Sequence, residues 1–345
     1  MTEKLQKILC FLKNHREFLF EKTKIMLVVS FFLLGVFACA EMYSAVLLSH
    51  RIMIDRGIEA KFPSREFFKE LRKNIDYSSF TTFDENYRYE EDDSPMGHEI
   101  KYRKPVGLNY NKRPIIFFGC SCTFGLGVEK YKTLPAKVSE YSHRPVYNFS
   151  LSGWGIQHVL WVLNNEKKLD EIKNPEYAIY VFIVDHYRRA MSSFPYAEVP
   201  MSLTLYSEKN GKFVKENPYR KIYYRSYFYR LLSEKIGFWK SKMPVFHAYK
   251  EDKIVSFLRE ENRILKQKYS DIKFVVFVMT VETDETSLEK KIENAGITVV
   301  DGRKIFDEKT NGEQYDGNKW EQPDGHPNEE LFSLFASELV KKLDL

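Results

Sequence analysis

After residue 112 the chain alternates short apolar runs with amphipathic helical patterns, and this rhythm restricts the fold more than any other feature. The runs cover 114–118, 146–149, 177–184, 272–279 and 297–300. Each is rich in β-branched or aromatic residues and too short for a buried helix, so each is expected to be a strand. Helical spacing is predicted over about 133–141, 154–168, 251–269 and 287–295, with 328–343 closing the chain. In that last stretch Leu331, Leu334, Phe335 and Leu339 share one face, and Asn328 is placed to cap the first turn. Alternating strands and helices imply an α/β fold, a three-layer parallel sheet with helices on both faces. Ligands in such sheets sit beyond the carboxyl ends of the strands. Ser121, Gly153, Asp185 and Asp301 all fall there, and Asp301-Gly302 after the fifth strand run reads as a turn.

Residues 25–48 form an apolar run broken only by Glu41 and a few small polar residues. At about 1.5 Å of rise per residue the run reaches across a hydrocarbon core about 30 Å thick. Lys4, Lys7, Lys13, Arg16, Lys22 and Lys24 precede it. The positive-inside rule then gives a cytoplasmic basic tail over 1–24 and a transmembrane helix over 25–48. Everything after about residue 50 is expected on the other side, in the periplasm or at the cell surface. The run is too long for the core of a cleaved signal peptide, and no clear small-x-small cleavage site follows it. Glu41 lies off-centre, within reach of water and headgroups, so its cost is expected to be well below the roughly 3 kcal/mol of a mid-membrane charge.

The polar stretch 49–112 reads as a juxtamembrane connector, and 113–345 as the α/β domain. A net charge of +5 with neither a basic helix nor a zinc pattern argues against a nucleic-acid partner. The four cysteines, Cys10, Cys39, Cys120 and Cys122, form neither a disulfide framework nor a metal-ligand spacing, and the serine chemistry read below needs no metal or nucleotide, so no cofactor is expected. Residues 187–250 interrupt the rhythm with a connection far longer than usual. It carries Tyr223, Tyr224, Tyr227, Phe228, Tyr229 and Trp239 among many Arg and Lys. Two readings are open for it: a small helical subdomain with its own aromatic core, or a lid whose aromatic faces and arginines suit sugar rings and anionic groups.

Two segments about two hundred residues apart carry chemistry. One is Gly119-Cys120-Ser121-Cys122-Thr123-Phe124-Gly125, directly after the first strand run; the other is Asp324-Gly325-His326-Pro327-Asn328, directly before the last helix. A serine hydroxyl is a weak nucleophile until a base takes its proton. His326 is placed to be that base, and Asp324 to hold the imidazole in one tautomer and stabilise its charged form. Cys120 and Cys122 are expected to point away from Ser121 into packing, as small hydrophobes.

With their order, these segments resemble the SGNH, or GDSL-like, hydrolase superfamily over about 113–345. The block Tyr147-Asn148-Phe149-Ser150-Leu151-Ser152-Gly153-Trp154-Gly155 matches the family's second motif. The resemblance implies an SGNH-hydrolase, flavodoxin-like fold. Ser121 would be the nucleophile, Asp324 and His326 its partners, and the N–H groups of Ser121 and Gly153 the oxyanion donors. The third block departs from the pattern. Val184 of Ile183-Val184-Asp185-His186 stands where the family has an asparagine, and its side chain cannot donate a hydrogen bond. Asp185, His186 and Arg189 are the candidates to line the site there. For an anchored member the resemblance implies an ester hydrolase (an esterase or deacetylase) acting on O-acyl groups of a small molecule or of a cell-envelope or exported glycan. O-acyl transfer to a glycan and non-catalytic glycan binding or assembly at a degenerate site stay open as alternatives.

Overall fold

In the computed structural model, described residues are 22–24, 26–44, 46–47, 91–92, 102–190, 205–209, 212–216, 228, 232 and 244–345. The basic tail before Lys22, most of the 49–112 connector and most of the aromatic insertion lie outside them. The chain divides into two compact units, Met1–Ser79 with Ile222–Leu232, and Phe80–Lys221 with Ser233–Leu345.

In the first unit the helix Lys22–Ser44 is long and apolar enough to cross a membrane, with a mean hydropathy of 2.3 over its best window. The Glu41 carboxylate accepts the Phe228 N–H (2.9 Å), and the Phe37 and Phe228 rings meet edge-on at 6.2 Å.

The second unit is built on five parallel strands: β1 (Ile115–Gly119), β2 (Val146–Ser150), β3 (Tyr177–Phe182), β4 (Lys273–Val278) and β5 (Thr298–Asp301). Their spatial order is β2-β1-β3-β4-β5, the flavodoxin-like order. The helices are α1 (Ser121–Phe124), α2 (Leu134–Ser142), α3 (Ile156–Asn165), α4 (Asp185–Ala190), α5 (Pro244–Lys268), α6 (Thr286–Asn294), α7 (Gly302–Thr310) and α8 (Glu329–Leu343). Strand side chains alternate between two cores, as the period of two requires. Ile116, Phe118, Tyr180 and Val276 pack with α3, α5 and α6 on one face. Phe117, Ile179, Val275 and Phe277 pack with α2, α7 and α8 on the other. The sheet is therefore covered on both faces, and its strands read as continuous apolar runs for that reason.

All five expected strands are present, with ends shifted by one or two residues. The expected helices are also present, and the Asn328 side chain caps α8 by accepting the Leu331 N–H at 3.0 Å. Asp301-Gly302, which reads as a turn, instead opens a helix. Asp301 caps α7 through the Lys304 N–H (3.0 Å), and Ile305 and Phe306 bury its inner face. The described part of the insertion includes an antiparallel hairpin, Leu205–Lys209 with Lys212–Glu216.

The register places the site. Gly119 pairs with Ser150, so the chain leaves β1 and β2 at adjacent points on the carboxyl edge of the sheet. Ser121 follows the first exit and Gly153 the second.

Candidate active site

Ser121 is the first residue of α1, a single turn that begins where β1 ends. Chain reversal this tight needs a close approach, and Gly119 supplies it: a Cβ there would lie 2.1 Å from Thr123 Oγ1. The turn closes at Gly125, in the left-handed region at φ 79°, whose N–H returns to the Ser121 carbonyl at 2.9 Å. Two side chains hold the turn from outside. Asn148 on β2 donates to the Thr123 carbonyl (3.1 Å), and Arg103 donates to the Gly125 (2.8 Å) and Val128 (2.9 Å) carbonyls while its guanidinium covers the Phe124 ring. Ser121 is buried. As the first helical residue its N–H has no acceptor within the turn, and no described backbone carbonyl takes it.

Gly153 sits at φ 76° in a turn closed by the Trp154 N–H on the Leu151 carbonyl (3.2 Å). Its own N–H is likewise not taken by any described backbone carbonyl. The turn is clamped on its far side. Arg189 Nη1 donates to the Trp154 carbonyl, Nη2 pairs with Asp185 at 2.8 Å, and the Arg189 carbonyl accepts from Gln157 at 3.0 Å. His158 reaches back to take the Gly155 N–H (3.0 Å) and stacks on Trp154. Asp185 and Arg189 are thus placed as a brace behind the Gly153 turn.

His186 turns inward. It is fully buried, its Nδ1 lies 2.6 Å from the Tyr180 hydroxyl, and its ring meets the edge of Phe182. Among the described residues no hydrogen bond of ordinary geometry reaches its Nε2. Val184 packs against the core on the α3 and α5 side. Cys120 is fully buried and Cys122 packs against the opposite core. Contact with Cys120 and burial push the Cys122 thiol well above the ordinary range, and contact with Cys122, then His186 and Arg189, draw Cys120 below it. A sulfur with no exposed surface has no route to a solute, so Cys120 is not placed to act as a nucleophile.

The third part of the site comes from the loop between Trp320 and α8. Asn328 N–H bonds the Trp320 carbonyl (3.0 Å) and Gln322 N–H the His326 carbonyl (2.7 Å), which folds 320–328 into a tight hairpin. Gly325 sits at its tip with φ 82°. Asp324 holds His326 twice, with Oδ1 accepting the His326 N–H at 3.1 Å and Oδ2 lying 3.1 Å from the imidazole Nδ1. The second approach is a contact of charge with ring and is not aligned as a hydrogen bond. It leaves Nε2 as the ring nitrogen that faces away from the carboxylate.

One side chain joins this loop to the turn that bears Ser121. Gln322 Nε2 donates both to the Leu126 carbonyl (2.9 Å) and to the Pro327 carbonyl (3.2 Å), spanning 196 residues of sequence. A Cβ on Gly127 would strike the Gln322 amide, so the glycine after Leu126 is what lets the loops meet. No hydrogen bond links Ser121 Oγ to the His326 ring in this structure. The tether joins the backbone at Leu126 to that at Pro327. Gln322, Arg103 and Asn148 hold these candidate turns in place, and the sequence pattern does not reveal them because each acts on a partner distant in sequence.

No protein-family model and no curated protein matches the chain. Similar solved structures include an acetyl xylan esterase (Est2A) from the rumen bacterium Butyrivibrio proteoclasticus, with 13% identity and a TM-score of 0.39 over 68% of this chain and 64% of that one. This chain thus spans less than two thirds of that esterase. A variant of Axe2, an acetyl-xylooligosaccharide esterase from Geobacillus, has 12% identity and a TM-score of 0.40 over 68% of this chain and 94% of its own. A chain described as a GDSL-like lipase from Parabacteroides merdae has 13% identity and a TM-score of 0.38 over 66% and 94%.

Proposed function

We propose that this chain is a serine ester hydrolase of the SGNH type. Ser121 Oγ attacks an acyl carbonyl, and His326 Nε2 takes the hydroxyl proton and returns it to the departing alcohol. Water then attacks the acyl-enzyme with His326 as base, releasing the acid and the free serine. Asp324 orients the imidazole and stabilises its charged form. The Ser121 and Gly153 N–H groups receive the oxyanion, and each such donor contributes about 3 kcal/mol to the transition state.

The observation that carries this reading is the Gln322 tether, which draws the Asp324–His326 hairpin against the turn that bears Ser121. Two neighbouring N–H groups without backbone acceptors, at the exits of adjacent strands, add the second element an acyl-transfer site needs. The Ser121–His326 bond forms when a substrate carbonyl is seated, as catalytic hydrogen bonds do in many sites that are loose when empty.

The substrate in this reading is an O-acyl group on a glycan or small molecule outside the cytoplasm, with Lys22–Ser44 as the anchor and the basic tail inside. Lys22 and Lys24 at the start of the helix, and the basic residues before them, support that orientation. The test is acid release from aryl and sugar acetates by the full chain in detergent micelles, with and without an added glycan acceptor. Release that needs no acceptor is the expected result. Acyl gain on the glycan with no free acid would turn the assignment to transfer, and turnover of neither would remove it.

A further inference from the structure

Leu151-Ser152-Gly153-Trp154 is a four-residue turn closed by the Trp154 N–H on the Leu151 carbonyl (3.2 Å). Gly153, its third residue, has φ 76°, and Ser152 is not among the residues with positive φ. That sign pattern is a type II turn, which glycine at the third position favours. Relative to a type I turn, the peptide between the second and third residues is turned over, and that peptide carries the Gly153 N–H. The glycine therefore decides which face of the turn presents the N–H. Where the turn stands depends on what holds its end.

The peptide at that end is held at both of its polar atoms. Its carbonyl, on Trp154, accepts from Arg189 Nη1, and its N–H, on Gly155, donates to His158 Nδ1 (3.0 Å). The arginine is itself fixed. Its side chain is 6% exposed, Nη2 pairs with Asp185 (2.8 Å), and its carbonyl accepts from Gln157 (3.0 Å). A Cβ on Gly155 would lie 2.8 Å from the Arg189 Cβ, so this glycine lets the two segments approach.

Arg189 lies on α4, which follows β3, whereas the Gly153 turn follows β2. In the order β2-β1-β3 the strand between them is β1, which leads into the Ser121 turn. Arg189 thus ties together the strand exits on either side of Ser121, two strand spacings or about 10 Å apart. The β3 exit itself presents Val184, whose side chain has no donor, so the polar tie from that side comes from α4. A buried guanidinium is costly to desolvate, and its planar fork offers donors in fixed directions, which suits holding one carbonyl in place.

We propose that Arg189 is a positioning residue for ester turnover, which holds the Trp154 carbonyl from α4 and so sets the Gly153 N–H where the oxyanion forms. The inference rests on the serine-hydrolase reading above. Arg189 acts through the turn and not on the substrate. A displacement of the N–H by about 1 Å is enough to lower turnover by up to about 10²-fold. The donor is used by charge that develops in the transition state, so substrate binding changes little.

The test is steady-state kinetics of the full chain in detergent micelles on an aryl acetate. Phenylboronic acid, whose serine adduct is a negatively charged tetrahedral centre, serves as the probe of the transition state. Arg189→Met is expected to lower kcat about thirty-fold with KM changed less than about three-fold, and to weaken phenylboronic acid by a factor close to the loss in kcat. Arg189→Lys keeps the charge and loses the planar fork, so only a small part of kcat should return. Breaking a buried ion pair lowers Tm whatever its role, so stability is not the readout. If Arg189→Met does not fold, Asp185→Asn keeps the shape and weakens the hold on the guanidinium, and about a five-fold loss in kcat at unchanged KM is expected. Unchanged kcat in a folded variant, a rise in KM alone, full recovery by lysine, or an affinity for phenylboronic acid that does not follow kcat would overturn the proposal. A parent that turns over no ester would remove the serine-hydrolase reading and this role with it. A working parent with an unchanged variant removes this role alone.

Discussion

Around Ser121 the backbone is fixed by packing, and around His326 by a few polar bonds. The Ser121 turn is packed tightly where Gly119 meets Thr123, tied to β2 by Asn148 and held by Arg103, with its neighbours in two apolar cores. The histidine hairpin stands at the surface: the Asp324 side chain is 51% exposed, and one glutamine joins the hairpin to the nucleophile turn. A turn of the first kind cannot shift without opening the core. A hairpin of the second kind can move its imidazole by a small rotation. The pairing suits an acyl-transfer site, in which the nucleophile and oxyanion donors must be preorganised and the base must swing between hydroxyl, leaving group and water.

Substitutions sharpen or break this contrast, and the largest effect is expected at the nucleophile itself. Ser121→Ala should lower ester turnover by about four orders of magnitude or more, with stability changed by no more than about 1 kcal/mol. A folded variant that keeps its turnover would take Ser121 out of the chemistry. Next, Gly119→Ala forces a Cβ onto Thr123 and should cost about 1–3 kcal/mol in a denaturant melt, with part of the loss restored by adding Thr123→Ala. If Gly119→Ala melts like the parent, the nucleophile turn is not held by packing. Gln322→Ala should act in the opposite way. It should lower kcat/KM about ten-fold by loosening the hairpin while Tm stays close to that of the parent. A large fall in Tm with unchanged kcat/KM would make Gln322 a structural residue only.

The smallest expected effect lies at the amino end of the sheet, far from the site. Burial alone would raise the Glu176 carboxyl, but hydrogen bonds from Arg144 (2.7 Å) and Lys273 (3.1 Å) outweigh it and hold the group below the ordinary carboxylate range. A group lowered on folding adds stability above its unfolded pKa and loses it as pH falls through the folded value. Glu176→Gln should therefore cost about 1 kcal/mol at neutral pH, with the gap to the parent closing in acid below the usual glutamate range. Equal gaps at neutral and acid pH would show that packing, not charge, is at stake.

How much of this was legible in the chain depends on the reach of each cause. The strands announce themselves because both faces of the sheet are buried, so β1, β3 and β4 are unbroken apolar runs. Asn328 announces itself as a cap because its partner, Leu331, is three residues away. Asp301-Gly302 misleads for the same local reason: the pair is common in turns, and only the burial of Ile305 and Phe306 shows that a helix follows. The inward turn of His186 depends on the Tyr180 hydroxyl, which sequence alone does not place beside it. Gln322 is the limiting case. It sits in a polar loop and has no local signature, and its meaning lies in a carbonyl 196 residues earlier.

The central claim is that Ser121 is activated by the imidazole of His326. A fluorophosphonate probe offered to the folded full chain, followed by mass mapping of the modified peptide, tests it most directly. The account predicts one adduct, on Ser121, formed by the parent and lost in His326→Ala. An adduct on another residue, or a Ser121 adduct that forms equally fast without His326, would contradict it.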